Sequence, residues 1–262
     1  MGLEDSAFDL PTDELIELLE TGELEIEGRM PYSSNATFLV TVTEAGAEAT
    51  DDTEGEAADE AGGETKGHRA IYKPGRGERP LWDFPPDLYK REVATFRLAE
   101  ALGWAVVPPT VIATGPLGEG SLQAFVDADF SEHYFTLQEA GACLDDLRLL
   151  CALDIIANNT DRKSGHCLLG RDGHAYGIDH GLSFHAQFKL RTVIWDFVDE
   201  PIPSDALDAI KRFVADGPSV ELAALLDPFE TDAMMSRAAA LADAGVFPED
   251  DTGGHRYPWP LV

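Results

Sequence analysis

The chain has 262 residues, enough to bury a substantial core, and a two-lobed single unit suits that length better than two independent domains. Its formal net charge of −30 argues against a nucleic-acid partner, which needs a basic face, and against strong electrostatic docking on anionic lipid. No apolar run is long enough to span a bilayer and no basic-then-apolar leader opens the chain, so a soluble, cytoplasmic protein is expected. Thr12 to Thr21 reads as a short helix, capped by Thr12, with Asp13 and Glu14 at its positive end and Gly22 closing it. Residues 1–22 are thus a helical lead-in, and 23–127 a small lobe. There Glu23 to Glu27 alternates Leu24 and Ile26 with glutamates, and Phe38 to Val42 sets Phe38, Val40 and Val42 on one face, as paired strands do.

Between these strands, Gly28 to Thr37 takes the place of a nucleotide-covering loop, where backbone N–H groups and the hydroxyls of Ser33 and Ser34, beside Asn35, would hold phosphate oxygens. It has neither GxGxxG nor GxxxxGK[ST], so a Walker-type NTPase is unsupported; an ordinary hairpin connection is the alternative. Glu44 to Lys66 carries nine acidic residues against one lysine with almost no apolar bulk, and reads as a disordered insertion, a solvated spacer or a tether. Ala70-Ile71-Tyr72-Lys73-Pro74 then ends a β-rich segment on a lysine. After a Pro-rich loop, Asp87 to Gly103 reads as a helix with Leu88, Val93, Phe96 and Leu98 near its apolar stripe and Glu92 as a partner for Lys73. A lysine in this context neutralises nucleotide phosphate oxygens, and the glutamate holds its ammonium in place.

From 128 to 262 the chain reads as a mainly helical lobe. Leu137 to Asn158 is patterned as one helix through Leu144, Leu147, Leu150, Leu153 and Ile156. Asp161 follows in the polar loop Asn158-Asn159-Thr160-Asp161-Arg162-Lys163; His166 to Leu169 and Ala175 to Asp179 read as short strands joined through Arg171-Asp172-Gly173. Two aspartates, each in a tight loop beside an apolar run, suit a pair in which Asp161 orients a hydroxyl and takes its proton while Asp179 holds a metal on a nucleotide triphosphate. Turn-capping is the ordinary alternative for both. Arg162 either steadies the loop or balances charge. Cys143, Cys151 and Cys167 lack metal-ligand or CxxC spacing and read as reduced thiols. Helices are expected over Ser204 to Ala215, Val220 to Leu226 and Thr231 to Ala244, and the tail Tyr257 to Val262 has apolar surface to dock on the lobe but cannot be helical.

These residues resemble the phosphatidylinositol 3-/4-kinase-like family, and within it the type II phosphatidylinositol 4-kinase branch and its actinobacterial relatives. The resemblance lies in Asn159-Thr160-Asp161-Arg162, in Ile178-Asp179-His180-Gly181-Leu182-Ser183-Phe184, and in Gly120-Ser121-Leu122-Gln123-Ala124-Phe125-Val126, which looks like that family's hinge strand. It implies an α+β, bilobal protein-kinase-like fold with a small antiparallel β lobe and a mainly helical large lobe. It further implies ATP with Mg2+ or Mn2+, and γ-phosphate transfer to a hydroxyl acceptor: an inositol lipid by the family label, a protein or small polar molecule by the acidity of the chain. In that likeness Gln123, Phe125 and Val126 lie at the nucleotide with Lys73 and Glu92, Asp161, Lys73 and Arg162 form the catalytic set, and Asp179 binds metal.

One position departs from the family's pattern. Where an asparagine stands five residues after the first aspartate, this chain has His166, a poorer ligand for magnesium and a better one for softer ions; it either binds manganese, contacts phosphate or fills space. His180, in place of the phenylalanine common in protein kinases, is expected to pack or hydrogen-bond. Two alternatives stay open: a nucleotide-binding pseudokinase acting as an interaction module, and nucleotidyl transfer on the same scaffold.

Overall fold

The computed structural model describes residues 7–8, 10–31, 35–46, 67–250 and 254–261. Ser33, Ser34 and residues 47–66 of the expected acidic insertion lie outside the described residues. Helix α1 (Thr12–Thr21) has Asp13 and Glu14 in its first turn, but the expected Thr12 cap is corrected: Pro11 takes the N-cap place and no side chain caps that end. Gly22 leaves the helix in extended backbone, with φ −74°, and runs straight into the first strand.

Five antiparallel strands follow: β1 (Glu23–Arg29), β2 (Phe38–Thr43), β3 (His68–Pro74), β4 (Thr110–Gly115) and β5 (Gly118–Ala124), in the order β1-β2-β3-β5-β4. Side chains alternate across a strand, so one face of this sheet holds Val40, Val42, Ala70, Tyr72, Leu122 and Ala124, all buried under Leu15, Leu18 and Leu19 of α1. The same alternation turns Ile71 and Lys73 of β3 to the opposite face, where they line a cleft. Gly120 lies opposite Pro74 in the ladder, and a Cβ there would come 2.3 Å from the carbonyl oxygen of Lys73, so only glycine lets β5 approach the end of β3.

Helix α2 (Tyr89–Leu102) packs on β4 and β5 and ends at Gly103 in the left-handed region, φ +71°, matching the helix expected over Asp87 to Gly103 to within two residues. The chain then crosses through Phe125-Val126-Asp127 to a second sheet, β6 (Ala128–Asp129), β7 (Cys167–Gly170) and β8 (Ala175–Gly177). The helix expected over Leu137 to Asn158 is two helices, α3 (Tyr134–Ala140) and α4 (Leu144–Ala157). Gly141 at φ +65° and Cys143 at φ +54° both sit in the left-handed region and break the run, although the apolar period continues across it. Asp146, in the first turn of α4, accepts the N–H of Ala175 at 2.9 Å and so ties the start of α4 to β8.

Helices α5 (Ser204–Asp216), α6 (Val220–Ala224) and α7 (Pro228–Ala244) complete the larger part, with α7 opened by an Asp227/Glu230 capping box. Leu147, Leu150, Leu153 and Ile156 of α4 are wholly buried in a core shared with Ile210, Phe213, Met234 and Leu241. Among the described residues no helix is long and apolar enough to cross a membrane.

Candidate active site

Lys73 reaches across the cleft and meets two carboxylates. Its Nζ lies 2.5 Å from Glu92 Oε1 on α2 and 2.8 Å from Asp179 Oδ1. Glu92 turns its other oxygen to the backbone N–H of His180 at 2.8 Å, so a single carboxylate links the sheet, α2 and the loop that carries Asp179. Burial opposes the charge on Lys73, but Asp179 and Glu92 outweigh it and raise the lysine above its ordinary range. The Lys73 ammonium in turn holds Asp179 far below the usual carboxylate range.

Helix α2 is anchored from the far side as well. Arg91, next to Glu92 and only 3% exposed, donates Nε to the carbonyl of Ser183 at 3.0 Å and pairs with Glu230 at the start of α7. Two contacts, through Arg91 and Glu92, therefore hold α2 against the segment after Asp179.

The Asp161 loop is built from α4. Asn158 ends that helix at φ +54°, its side chain bonding the carbonyls of His185 and Gln187 at 2.8 Å each. Asn159 accepts the N–H of Asp161 at 3.0 Å, fixing the turn. Asp154, two turns before Asp161 and 1% exposed, gathers Asn159 Nδ2 at 3.0 Å, Arg162 Nη2 at 2.8 Å and Thr192 Oγ1 at 3.2 Å. Arg162 itself is wholly buried, and donates onward to the carbonyls of His166 and Ile178 and to His180 Nε2 at 2.6 Å. Of the two places open to it, steadying the loop or balancing charge, this geometry fits the first: the guanidinium faces the interior and pairs with Asp154, and it lines neither cavity of the cleft. His180 packs and hydrogen-bonds, and burial keeps its imidazole neutral.

Lys163, which the sequence reading passed over, donates Nζ to Asp161 Oδ2 at 2.5 Å. Burial raises Asp161, with Lys163 pulling the other way. His166 brings Nε2 within 3.3 Å of Asp179 Oδ2, and burial pushes its imidazole down to about 4, which leaves the ring neutral with a lone pair to offer. The signal for Lys163 was its spacing, two residues after Asp161; the signal for Asp154 was a carboxylate in the apolar stretch of α4 beyond its acidic first turn, which must be paired if buried.

Two adjoining cavities meet at these groups. One, of about 610 Å³, has apolar walls in Ile71, Phe125, Val126, Leu168 and Ile178, with Lys73, Asp179 and His166 at one end. The other, of about 300 Å³, holds Asp161, Asn35 and Arg79. Both are lined by Thr37, Lys73, Lys163 and Asp179, so an apolar-walled slot leads past two lysines to a carboxylate. Gln123 is on the wall of the slot, but its amide nitrogen is spent on Thr110 Oγ1 at 2.9 Å. Asn35 likewise spends its carbonyl on the N–H of Arg79 at 3.0 Å. Among the described residues no three His, Cys, Asp or Glu side chains gather to hold a metal. Asp179 with His166 offers two donors, which suits a divalent ion that draws its remaining ligands from phosphate oxygens and water.

No protein-family model matches the chain. Over a 282-residue alignment it is 36% identical to the protein Rv2133c of Mycobacterium tuberculosis (strain ATCC 25618 / H37Rv), covering 93% of this chain and 94% of that protein. Among solved structures, the Golgi casein kinase is similar at a TM-score of 0.52 and 15% identity, over 88% of this chain and 74% of that one. Hydra Fam20, solved with sugar, gives a TM-score of 0.52 at 13% identity, over 89% and 87%. Likeness at these identities speaks to architecture: the chain has the bilobal, kinase-like α+β fold.

Proposed function

This chain belongs to the family of the Mycobacterium tuberculosis protein Rv2133c, and from that premise, joined to the kinase-like fold, we propose that it is an ATP-dependent phosphotransferase acting on a hydroxyl acceptor. The observation that carries this reading is Lys73, within ion-pair reach of both Glu92 and Asp179 on a slot that opens onto Asp161. In this reading residues 1–22, which carry the helix Thr12–Thr21, precede a nucleotide-binding lobe over 23–127 and a catalytic lobe over 128–262. A cytoplasmic setting, where ATP is at hand, fits it.

The apolar slot takes the adenine between Ile71, Phe125, Val126 and Leu168, and Lys73 neutralises phosphate oxygens. Asp179 and His166 would hold the divalent ion, which supplies charge neutralisation on the triphosphate. Asp161 orients the acceptor hydroxyl and takes its proton as the oxygen bonds to the γ-phosphorus; the bond from that phosphorus to the β,γ-bridging oxygen breaks, and ADP leaves. Lys163 holds Asp161 ionised and places a second positive charge beside the transferred group.

That arrangement has a pH signature. A base must be deprotonated to work, so activity should fall as pH drops through the Asp161 pKa, which burial has moved up from the ordinary carboxylate value of about 3.9. Lys163→Gln removes the ammonium that opposes this shift and should move the acid limb of the kcat profile to higher pH. A limb left in place would take Lys163 away from Asp161.

The metal position gives another expectation. With His166 as a ligand, turnover with manganese should be at least equal to that with magnesium, and His166→Asn should change the manganese-to-magnesium ratio of kcat/KM by about tenfold toward magnesium. An unchanged ratio would leave His166 as a space-filling group.

The resemblance to phosphatidylinositol 3-/4-kinases supports an inositol lipid as acceptor, whereas the net charge of −30 supports a protein or small polar one. Incubating the protein with γ-labelled ATP and a fractionated host extract tests the proposal and identifies the class. His166 in the metal position and a covering loop poor in glycine favour a second reading, a pseudokinase module. Nucleotide binding without turnover under magnesium and manganese alike would single it out.

A further inference from the structure

The last residues of the chain do more than cover apolar surface. The carbonyl of Leu261 accepts the N–H of Ser164 at 2.8 Å. Ser164 is wholly buried and opens the 3₁₀ turn Ser164–His166, which stands between Lys163 and the His166 imidazole. An N–H at the start of such a turn has no acceptor inside it, so Leu261 supplies the partner that fixes this end of the loop. Further back, the carbonyl of Arg256 accepts both the N–H of Thr192 at 3.0 Å and the indole N–H of Trp195 at 3.2 Å. Thr192 bridges to Arg162 and donates its hydroxyl to Asp154, so both anchors of the tail end on the scaffold of the Asp161 loop.

Between the anchors, Pro258 is buried and Pro260 lines the 610 Å³ slot beside Lys163 and His166, with Met30 and Pro31 on the same slot. Two prolines in five residues restrict the backbone and remove two donors that would otherwise need partners, which suits a stretch laid down as a strap.

We infer that residues 254–261 are a working part of the site: a strap that fixes the turn carrying His166, with Pro260 as a wall of the slot at its phosphate end. The wall role rests on the nucleotide reading of that slot; the hold on Ser164 does not.

Two variants test the strap. In the first, the chain is ended at Gly254 and amide hydrogen exchange is followed without nucleotide; exchange over residues 162–166 should accelerate at least about tenfold, while the buried strands β2 and β3 are unchanged. In the second, Pro260→Glu sets a carboxylate on the wall of the slot in the full-length chain; ATP affinity by calorimetry should fall at least about tenfold, and by more than adenosine affinity does. Equal exchange over 162–166 with and without the strap overturns the inference. Unchanged ATP affinity in Pro260→Glu overturns the wall; should the chain ended at Gly254 not fold, one ended at Pro260, which removes the Leu261 carbonyl, takes its place in the exchange comparison, and equal exchange over 162–166 there overturns the hold. If the intact chain binds no ATP, the nucleotide reading fails, and the exchange comparison still decides whether the strap holds the loop.

Discussion

Asp161→Asn is expected to bind ATP as tightly as the native chain and to lose phosphoryl transfer by about 10²- to 10⁴-fold, the range that a positioned general base contributes. The substitution preserves shape, and the amide can still meet the Lys163 ammonium through its oxygen. What it loses is the ability to take a proton. The Asp161 carboxylate opens onto the 300 Å³ cavity rather than the apolar slot, so affinity for the adenine and phosphates should be untouched. Calorimetry for binding and single-turnover kinetics for transfer separate the two effects. Equal transfer in both proteins would remove Asp161 from the chemistry.

Asp179→Asn should act on the other half of the site and abolish the dependence of nucleotide binding on divalent metal. Asp179 is half exposed toward the cleft, strongly ionised, and the only carboxylate within reach of both Lys73 and His166 among the described residues. Replacing it by an amide removes the charge that attracts a metal–triphosphate complex and leaves a single neutral donor in His166. The result to measure is ATP affinity with magnesium, with manganese and with chelator: three clearly different values for the native chain and three nearly equal ones for the variant. A variant that still responds to metal would place the ion elsewhere.

Most elements were legible because they rest on local periodicity. Alternation of Val40 and Val42, and of Ala70 and Tyr72, is enough to give strands and to say which face is buried; from that face the cleft side of Lys73 follows. The break between α3 and α4 was not legible, because Leu137 and Leu144 keep a helical spacing and only the left-handed turn at Gly141 and Cys143 interrupts it. Within the site, Lys73, Glu92, Asp161 and Asp179 could be named from chain order and His166 from the family resemblance, and the structure brings the five together around one pair of cavities. For Arg162 the sequence left two places open, steadying the loop or balancing charge, and only Asp154, on another element, shows that the side chain is drawn inward. The tail's reach to Ser164 was not legible either, since a hydrogen bond between residues so far apart in the chain leaves no trace in either stretch.

The central claim is transfer of the terminal phosphate of ATP, and the position of the label tests it most directly. The native protein and Asp161→Asn are each incubated with the acceptor fraction, metal and ATP labelled at either the α- or the γ-phosphate. Label from the γ-position on the acceptor, absent with Asp161→Asn, and none from the α-position is the predicted result. Label from the α-position on protein would make the chain a nucleotidyl transferase, and no label from either position, with native protein and variant binding ATP alike, would make it a nucleotide-sensing module.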